Sequence, residues 1–329
     1  DPGRCAIDRV LRERLHPCNS GHSVALLQAG ISGFRRNRGG FTTIMADFED
    51  RYWNSGDGLR LHFRLYDGDS SRPPVICLPG LTRNARDFED LAARLAGRWR
   101  VLCPEMRGRG DSDYAKDPMT YQPLQYLQDV EALLAQEGID RFVSIGTSLG
   151  GLLTMLLAIS NPDRIAGAVL NDIGPEVSAA GLERIRGYVG QGRNFETWMH
   201  AARALQESSG DVYPDWEITD WLRYAKRIMA LGTGGRITFD YDMKIAEPFE
   251  APQGATPQVD MWPMFDALAT RPLLVLRGET SDILESHVAA KMATRPGVEL
   301  VTLPRIGHAP TLDEAESVAA IERLLERVA

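Results

Sequence analysis

Residues 146–150 read Gly-Thr-Ser-Leu-Gly, a serine between two glycines where one apolar run ends and another begins. The run before it is typical of a buried strand and the run after it of a helix. A chain that turns from strand to helix within one or two residues strains the backbone at the turn, and side chains at the flanking positions would collide with neighbouring backbone. The pattern therefore predicts that Ser148 is a nucleophile, exposed at the end of a strand and at the amino terminus of a helix.

A serine nucleophile needs a general base, and the chain has six histidines. His308 follows the last strand-like segment and precedes the last helix, so its loop can return over Ser148. The other histidines lie near the amino terminus, on the polar face of a strand, in an aromatic-rich segment and on a helix: His16, His22, His62, His200 and His287. We therefore expect His308 to be the base.

A carboxylate must orient the imidazole, and three acids follow predicted strands. Asp172 ends the segment IAGAVLND, whereas Glu279 and Asp282 follow the segment RPLLVLRG. Each position lies at the carboxyl edge of a parallel sheet, where Ser148 is also expected. The residues alone leave the choice among these three acids open.

Continuous apolar segments alternate with helical patterns through most of the chain. Continuous apolarity predicts strands covered on both faces, as in a parallel sheet. Residues 59–65 alternate instead and, with the turn at 56–58, predict an antiparallel hairpin. The pattern predicts an α/β fold, a mostly parallel sheet with helices on both faces. The apolar segments are residues 73–80, 100–106, 141–146, 165–172, 271–278 and 298–304.

Residues 174–264 break this rhythm, because they contain no evident parallel strand and a large share of the aromatic residues. We expect them to form an inserted, mostly helical cap, with the α/β core in residues 46–173 and 265–329. An aromatic cap over a sheet edge can roof an apolar pocket. The residues expected to line this pocket are Tyr188, Trp198, Trp216 and Tyr224.

Residues 1–45 are rich in arginine, poor in acids and without sustained periodicity. We expect them to be a leader that is disordered or foreign to the native protein, with a transit peptide as the alternative. The spacing of Cys5, His16, Cys18 and His22 matches no structural zinc pattern, so no metal site is expected there.

From Asp47 onward the sequence resembles the α/β-hydrolase superfamily, in particular its capped serine esterases and C–C bond hydrolases. The resemblance implies a mostly parallel sheet of eight strands and the chain order nucleophile, acid, base. It favours Asp282 as the acid, because the loop after the penultimate strand is the commoner site, so the expected triad is Ser148, Asp282 and His308. The segments that carry the resemblance are the hairpin, LPGL, PEMRGRGDSD, GTSLGG, the cap, RGETSDIL and GHAPTLDE.

The resemblance also implies an oxyanion hole, built from the amide after the nucleophile and an amide in the loop after the third strand. The matching donors are Leu149 and Leu81, although Pro79 stands where relatives carry histidine. These parts imply a serine hydrolase that cleaves carboxylic esters of small to medium, mainly apolar substrates through an acyl-enzyme.

Three other activities stay open. One is hydrolysis of a C–C bond in diketo acids from aromatic-ring cleavage, which a buried arginine near the serine would favour. The others are hydrolysis of a lactone and a ligand sensor that keeps the triad but turns over slowly. The arginines considered for the first are Arg83, Arg86 and Arg193.

The composition narrows the partners. A net charge of -8 disfavours nucleic acid and anionic membrane surfaces, and no apolar run reaches the roughly 18 residues of a membrane-spanning helix. The four cysteines form no CxxC pair, which favours free thiols in a reducing compartment, and we expect a cytoplasmic protein. A small-molecule ester is the expected partner, no metal or organic cofactor is implied, and association into a homo-oligomer is left open.

Overall fold

The computed structural model describes residues 46–250 and 259–329, and a sheet of eight strands runs through them. The strands of this sheet and of a smaller one are β1 (Glu49–Asn54), β2 (Arg60–Tyr66), β3 (Val75–Leu78), β4 (Val101–Pro104), β5 (Phe142–Thr147), β6 (Ile165–Asn171), β7 (Asn194–Phe195), β8 (Met229–Leu231), β9 (Ile237–Phe239), β10 (Leu273–Gly278) and β11 (Val298–Leu303). The large sheet has the order β1-β2-β4-β3-β5-β6-β10-β11. Only its β1–β2 and β2–β4 pairs are antiparallel, so the predicted eight-stranded, mostly parallel sheet is confirmed.

Helices connect most of the parallel strands. The α-helices of the described residues are α1 (Glu89–Leu95), α2 (Pro123–Gln136), α3 (Leu149–Ser160), α4 (Ala179–Tyr188), α5 (Trp198–Ser209), α6 (Ile218–Ile228), α7 (Glu247–Glu250), α8 (Trp262–Leu268), α9 (Ser286–Met292) and α10 (Ala315–Glu326). Single 3₁₀ turns lie at Ala85–Phe88, Pro118–Thr120, Pro162–Arg164 and Met243–Ala246.

Two apolar cores lie on opposite faces of the large sheet, because successive strand residues point to opposite sides. In β3, Ile76 and Leu78 join the core under α2, α3, α8 and α9. Val75 and Cys77 join the other core, which α1 and α10 cover. Helices on both faces, as predicted, leave the carboxyl ends of the central strands as the open edge of the sheet.

The predicted hairpin around the turn at residues 56–58 forms from β1 and β2, but its polar face is not open to solvent at every position. His62 is 1% exposed, although the alternation assigned it to the polar face. Its Nδ1 lies 2.9 Å from a carboxylate oxygen of Glu105, and its Nε2 lies 3.0 Å from one of Asp50. These two carboxylates provide polar partners inside the fold, so burial of the ring leaves neither nitrogen unpaired.

The segment between β6 and β10 contains α4 to α8 and a small antiparallel sheet of order β7-β9-β8. The mostly helical cap predicted for residues 174–264 therefore also holds a sheet, whose strands of two or three residues are too short for a periodicity signal. The predicted boundary between residues 264 and 265 falls inside α8, whose Phe265 and Leu268 belong to the core beneath the large sheet. The other predicted segment, residues 1–45, lies outside the described residues.

Two of the four cysteines lie within the described residues. Cys77 and Cys103 are free and buried, whereas Cys5 and Cys18 lie outside the described residues. No helix in residues 46–250 or 259–329 combines the length and apolar character needed to cross a membrane.

Candidate active site

Ser148 lies at the turn between β5 and α3, at the carboxyl edge of the sheet. Its backbone has a φ of 50° and a ψ of -112°, a conformation that a residue with a side chain rarely adopts and that costs free energy. The Ser148 amide donates to the Asn171 carbonyl at 3.0 Å, which ties the strained turn to the end of the neighbouring strand. The serine hydroxyl is thereby held above the sheet edge.

The glycines around Ser148 are required by close backbone approach. A Cβ at Gly146 would collide with the backbone of Gly150, and a Cβ at Gly150 would collide with the carbonyl of Leu78 in β3. A Cβ at Gly151 would meet the side chain of Ile173. The close packing inferred from the sequence pattern is therefore present, and it presses α3 against the sheet.

His308 connects the serine to a carboxylate. Its Nε2 lies 3.0 Å from Ser148 Oγ and its Nδ1 lies 2.7 Å from Asp172 Oδ2. Since a carboxylate only accepts hydrogen bonds, the proton of the neutral ring is on Nδ1, which leaves Nε2 as the acceptor for the serine hydroxyl. The imidazole is 8% exposed and the carboxylate is fully buried.

Asp172 is held in place by three donors. It follows β6 with a φ of 57°. Its Oδ1 accepts from the Gly278 amide at 2.9 Å, and its Oδ2 accepts from the Ser281 hydroxyl at 2.6 Å in addition to the imidazole. Together these bonds balance the burial of the charge and fix the carboxylate against His308, so the three groups have the geometry of a Ser-His-Asp triad.

The prediction that Asp282 is the acid is wrong in this structure. Asp282 accepts two hydrogen bonds from the Arg184 guanidinium of α4, the second at 2.8 Å. These bonds outweigh partial burial and hold the pKa of Asp282 below its ordinary value. Glu279, the other acid in this loop, accepts from the Arg305 amide at 2.8 Å, so neither acid is hydrogen-bonded to the imidazole.

The shape of the turn after β10 decides which side chain of this loop faces Asp172 and His308. The Ser281 amide donates to the Gly278 carbonyl at 3.0 Å, and this tight turn points the side chain of Ser281 inward at Asp172. Asp282, the next residue, points outward to the cap. The loop after β10 therefore supports the triad through a hydroxyl, while its carboxylate faces the other way.

Leu149 and Leu81 lie where the sequence places the oxyanion donors. Leu149 is the first residue of α3, so its amide has no partner within the helix. Leu81 follows Gly80, and a Cβ at Gly80 would lie 3.9 Å from Ser148 Cβ. Among the described residues neither amide donates a backbone hydrogen bond outside a helix or strand. Their role as oxyanion donors stays a prediction.

A family model described as "Alpha/beta hydrolase family" matches residues 75–321, which is most of the length of this chain. The chain belongs to the alpha/beta hydrolase family. This confirms the resemblance inferred from the motifs and the fold expected from it.

Similar proteins match most of the length of this hydrolase. The crystal structure of an alpha/beta hydrolase from Novosphingobium aromaticivorans is 87% identical, with a TM-score of 0.84, and covers 86% of this chain and 99% of that chain. The 3-hydroxybutyrate-oligomer hydrolase of Cupriavidus necator is 35% identical over 272 residues, 79% of this chain and 91% of the relative. The 2-(acetamidomethylene)succinate hydrolase of Mesorhizobium japonicum is 25% identical over 241 residues, 72% and 82% of the two chains.

A cavity of about 590 Å³ lies over the serine of this hydrolase. Ser148 and His308 lie in its wall on the core side, with Leu81 beside them. Its volume is in the range that holds a small to medium organic ligand. Apolar and aromatic side chains of the cap contribute Ile185, Tyr188, Tyr213, Tyr224, Phe239 and Tyr241 to the wall.

Two of the four predicted pocket residues, Tyr188 and Tyr224, line this cavity, and the other two do not. Trp216 stacks on Tyr213 with ring centroids 3.8 Å apart, and Trp198 packs against the same aromatic core of the cap. The prediction of Trp198 and Trp216 as lining residues is corrected accordingly. Large rings serve the small core of the cap as well as the cavity, and composition does not separate the two uses.

Arginines in the cavity wall are mostly neutralised by acids. Arg83 donates to both carboxylate oxygens of Asp87 at 2.6 Å and to the Tyr224 hydroxyl at 2.5 Å. Arg193 also lines the cavity but is exposed. Arg86, the third arginine considered from the sequence, is outside the wall and donates to Asp240 at 2.5 Å. None of the three is both buried beside Ser148 and free of a carboxylate partner.

Three supporting residues were not anticipated from the sequence. Asn171 donates from Nδ2 to Thr147 Oγ1 at 3.0 Å and to the Pro310 carbonyl at 2.9 Å, which joins the serine strand to the histidine loop. Ser281 donates to the triad carboxylate, as described above. Arg109 is fully buried and donates from Nε to the Leu81 carbonyl at 2.8 Å. The only signal in the sequence was their position. Asn171 precedes Asp172, Ser281 precedes Asp282, and Arg109 lies within RGRGDSD.

One group of side chains in the described residues has ligand atoms close enough to hold a metal ion: His62, Glu105 and Asp111. The oxygen Glu105 Oε2 already accepts from the Asp111 amide at 2.7 Å and lies 2.9 Å from His62 Nδ1. Its other oxygen accepts from the Ala85 amide at 3.1 Å. The group therefore fits a hydrogen-bonded structural network that ties the loops after β3 and β4 to the hairpin.

Proposed function

We propose that this hydrolase cleaves carboxylic esters of small to medium size, mainly apolar, through an acyl-enzyme on Ser148. The observation that carries the proposal is the position of His308, within hydrogen-bonding distance of both Ser148 Oγ and Asp172 Oδ2. A serine hydroxyl becomes a competent nucleophile when a neutral imidazole accepts its proton. The acid in this proposal is Asp172.

In the first half-reaction, Ser148 Oγ attacks the ester carbonyl while His308 Nε2 takes the proton. The oxyanion of the tetrahedral intermediate accepts hydrogen bonds from the amides of Leu81 and Leu149, and each such donor contributes about 2.7–4 kcal/mol in comparable sites. The imidazolium then protonates the leaving alkoxide. In the second half-reaction His308 activates water, which releases the acid and restores Ser148. Asp172 stabilises the imidazolium in both steps.

The cavity supports an uncharged or weakly charged substrate. Its wall combines aromatic and aliphatic side chains with polar and charged ones, among them four arginines. Three of these arginines, Arg83, Arg184 and Arg227, are already paired with carboxylates. Since the relative that acts on 3-hydroxybutyrate oligomers is similar over most of its length, short linear oligoesters of hydroxy acids are the first substrates to test within this class. Lactones need the same chemistry and differ only in shape.

Cleavage of a C–C bond in a diketo acid stays a second candidate. Its carboxylate would need a cationic partner near Ser148, and the presence of Arg83 and Arg193 in the cavity wall favours it. Arg83 is already paired with Asp87, and Arg193 is exposed. Neither arginine would bind the substrate carboxylate strongly, because ion pairs with exposed groups contribute little. The ester reading is therefore the better supported. A slow ligand sensor would share the triad, and stoichiometric retention of product at low turnover would distinguish it.

A substrate panel tests the proposal. It contains 4-nitrophenyl acetate, butyrate and octanoate, the linear dimer of 3-hydroxybutyrate, a γ-lactone and a dienone acid. We expect kcat/KM for the best ester to exceed that for the dienone acid by about 100-fold or more, since the cavity offers that carboxylate no unpaired buried cation. A preference for the dienone acid would transfer the proposal to C–C hydrolysis.

Acidification should lower the ester activity. When His308 takes up a proton from solvent, Nε2 can no longer accept the proton of Ser148 Oγ, so the fraction of competent enzyme falls as pH falls. We expect kcat/KM for a neutral ester to be lower in acidic buffer than in neutral buffer. The melting temperature at each pH serves as the control for loss of fold. A flat profile in folded protein would contradict the assignment of His308 as base.

A further inference from the structure

The cap contacts the histidine loop on both sides of the catalytic imidazole. The Gly307 amide donates to the Val212 carbonyl at 2.8 Å, and the Tyr213 hydroxyl donates to the Ala309 carbonyl at 2.6 Å. These bonds attach two consecutive cap residues to the two residues that flank His308. The cap is therefore tied directly to the backbone that carries the base.

This attachment is tight. A Cβ at Gly307 would lie 3.2 Å from the Cα of Val212, closer than side chains normally approach. The ring of Tyr213 is 5% exposed, and it stacks on Trp216 with an interplanar angle of 4°. It also meets the edges of Trp221 and Tyr224, with ring centroids 5.9 Å and 5.8 Å away. The hydroxyl is thus fixed by a packed aromatic cluster.

His308 needs such support because it lies in an irregular segment, residues 304–314, between β11 and α10. On the core side Asn171 donates to the Pro310 carbonyl. On the cap side Gly307 and Ala309 are held by their hydrogen bonds with Val212 and Tyr213. Catalytic groups lose activity when they move by a fraction of an ångström to one ångström. Burial raises the pKa of the Tyr213 phenol well above its ordinary value, so the hydroxyl stays protonated and remains a donor.

We propose that Tyr213 is a positioning residue, whose hydroxyl fixes the loop at Ala309 so that the His308 imidazole meets Ser148 and Asp172. The cap therefore takes part in assembling the triad in addition to enclosing substrate. The inference rests on the ester hydrolase function proposed above for its kinetic readout. Its structural readout, the hydrogen bond between His308 and Asp172, is independent of substrate.

The test compares Tyr213→Phe with Tyr121→Phe. Both remove the hydroxyl of a buried tyrosine, and the Tyr121 hydroxyl donates to Asp242 at 2.7 Å away from the cavity wall. For Tyr213→Phe we expect kcat to fall about tenfold with KM within about twofold, because the ring that lines the cavity is kept while the loop loses its anchor. For Tyr121→Phe we expect wild-type kcat and KM, and melting temperatures of both variants check the fold.

Proton NMR gives the second readout. The Nδ1 proton of a histidine that donates to a carboxylate resonates far downfield, and we expect this signal to broaden or vanish in Tyr213→Phe while Tyr121→Phe keeps it. Incorporation of 4-aminophenylalanine at position 213 restores a donor and should restore both the signal and at least about half of kcat. If Tyr213→Phe does not fold, the protein with 4-aminophenylalanine at position 213 is used for the test.

Three outcomes would overturn the inference. They are wild-type kcat in folded Tyr213→Phe, an equal loss in Tyr121→Phe, and no recovery with 4-aminophenylalanine. Failure of the ester mechanism is recognised separately, because Ser148→Ala would then keep its turnover, whereas the NMR signal would still report whether Tyr213 positions His308.

Discussion

Ser148→Ala should lower kcat for the best ester by about 10⁶-fold, as loss of the nucleophile does in known serine hydrolases with a triad. The alanine removes the only oxygen that is hydrogen-bonded to His308 Nε2 among the described residues, at 3.0 Å. Steady-state kinetics measure the effect. The melting temperature should change little, because the lost hydroxyl makes no other hydrogen bond in the described part of the chain.

Ser144→Ala is the matched control. Ser144 lies four residues earlier, within β5, is fully buried, and its hydroxyl pairs with Thr154 Oγ1 at 2.7 Å. We expect its kcat to stay within about twofold of the wild-type value, since it loses a hydroxyl but no catalytic group. Retained turnover in folded Ser148→Ala would remove the mechanism.

Asp172→Asn should lower kcat by about 10⁴-fold, the loss found when a triad carboxylate becomes an amide. The amide cannot stabilise the imidazolium, and its nitrogen can donate to Nδ1, which would move the ring proton to Nε2 and block the acceptor for Ser148. KM should change little, because Asp172 is fully buried and does not belong to the cavity wall.

Asp282→Asn separates the two candidate acids. Asp282 is paired with Arg184, and both side chains are partly exposed, so we expect kcat to stay within about threefold of the wild-type value. Since the pKa of Asp282 is lowered by Arg184, the pair contributes stability that is present above the ordinary carboxyl pKa and is lost as pH falls through the lowered value. A large loss of kcat in Asp282→Asn with an active Asp172→Asn would instead identify Asp282 as the acid, as the family resemblance implies.

The fold could be predicted because its signals are local. The strands β3 to β6, β10 and β11 are continuous apolar runs, and the helices between them carry the helical period. Ser148 was equally visible, since a strand-to-helix turn around an exposed side chain requires Gly146 and Gly150. His308 could be predicted as the base because the other five histidines could be eliminated by their positions.

The acid could not be chosen from the sequence because the decision is tertiary. Asp172 and Asp282 follow neighbouring strands, β6 and β10, so both lie near the same edge of the sheet. The positive φ of Asp172 and the turn at Ser281 decide which carboxylate faces His308. Neither feature has a distinctive residue pattern.

The cap was the least predictable part. Its small sheet is too short to show a period, and aromatic composition assigned Trp198 and Trp216 to the cavity although they pack in the core of the cap. The bond from Tyr213 to the Ala309 carbonyl joins residues 96 positions apart. A contact between a side chain and a distant carbonyl leaves no trace in a single sequence.

The central claim is a covalent intermediate on Ser148, and intact mass measured during turnover of a slowly deacylated ester tests it most directly. Rapid acid quench followed by peptide mapping should find one acyl group per chain, carried by the peptide that contains Ser148 and disappearing as substrate is consumed. Ester turnover without any acyl group on that serine would contradict the account.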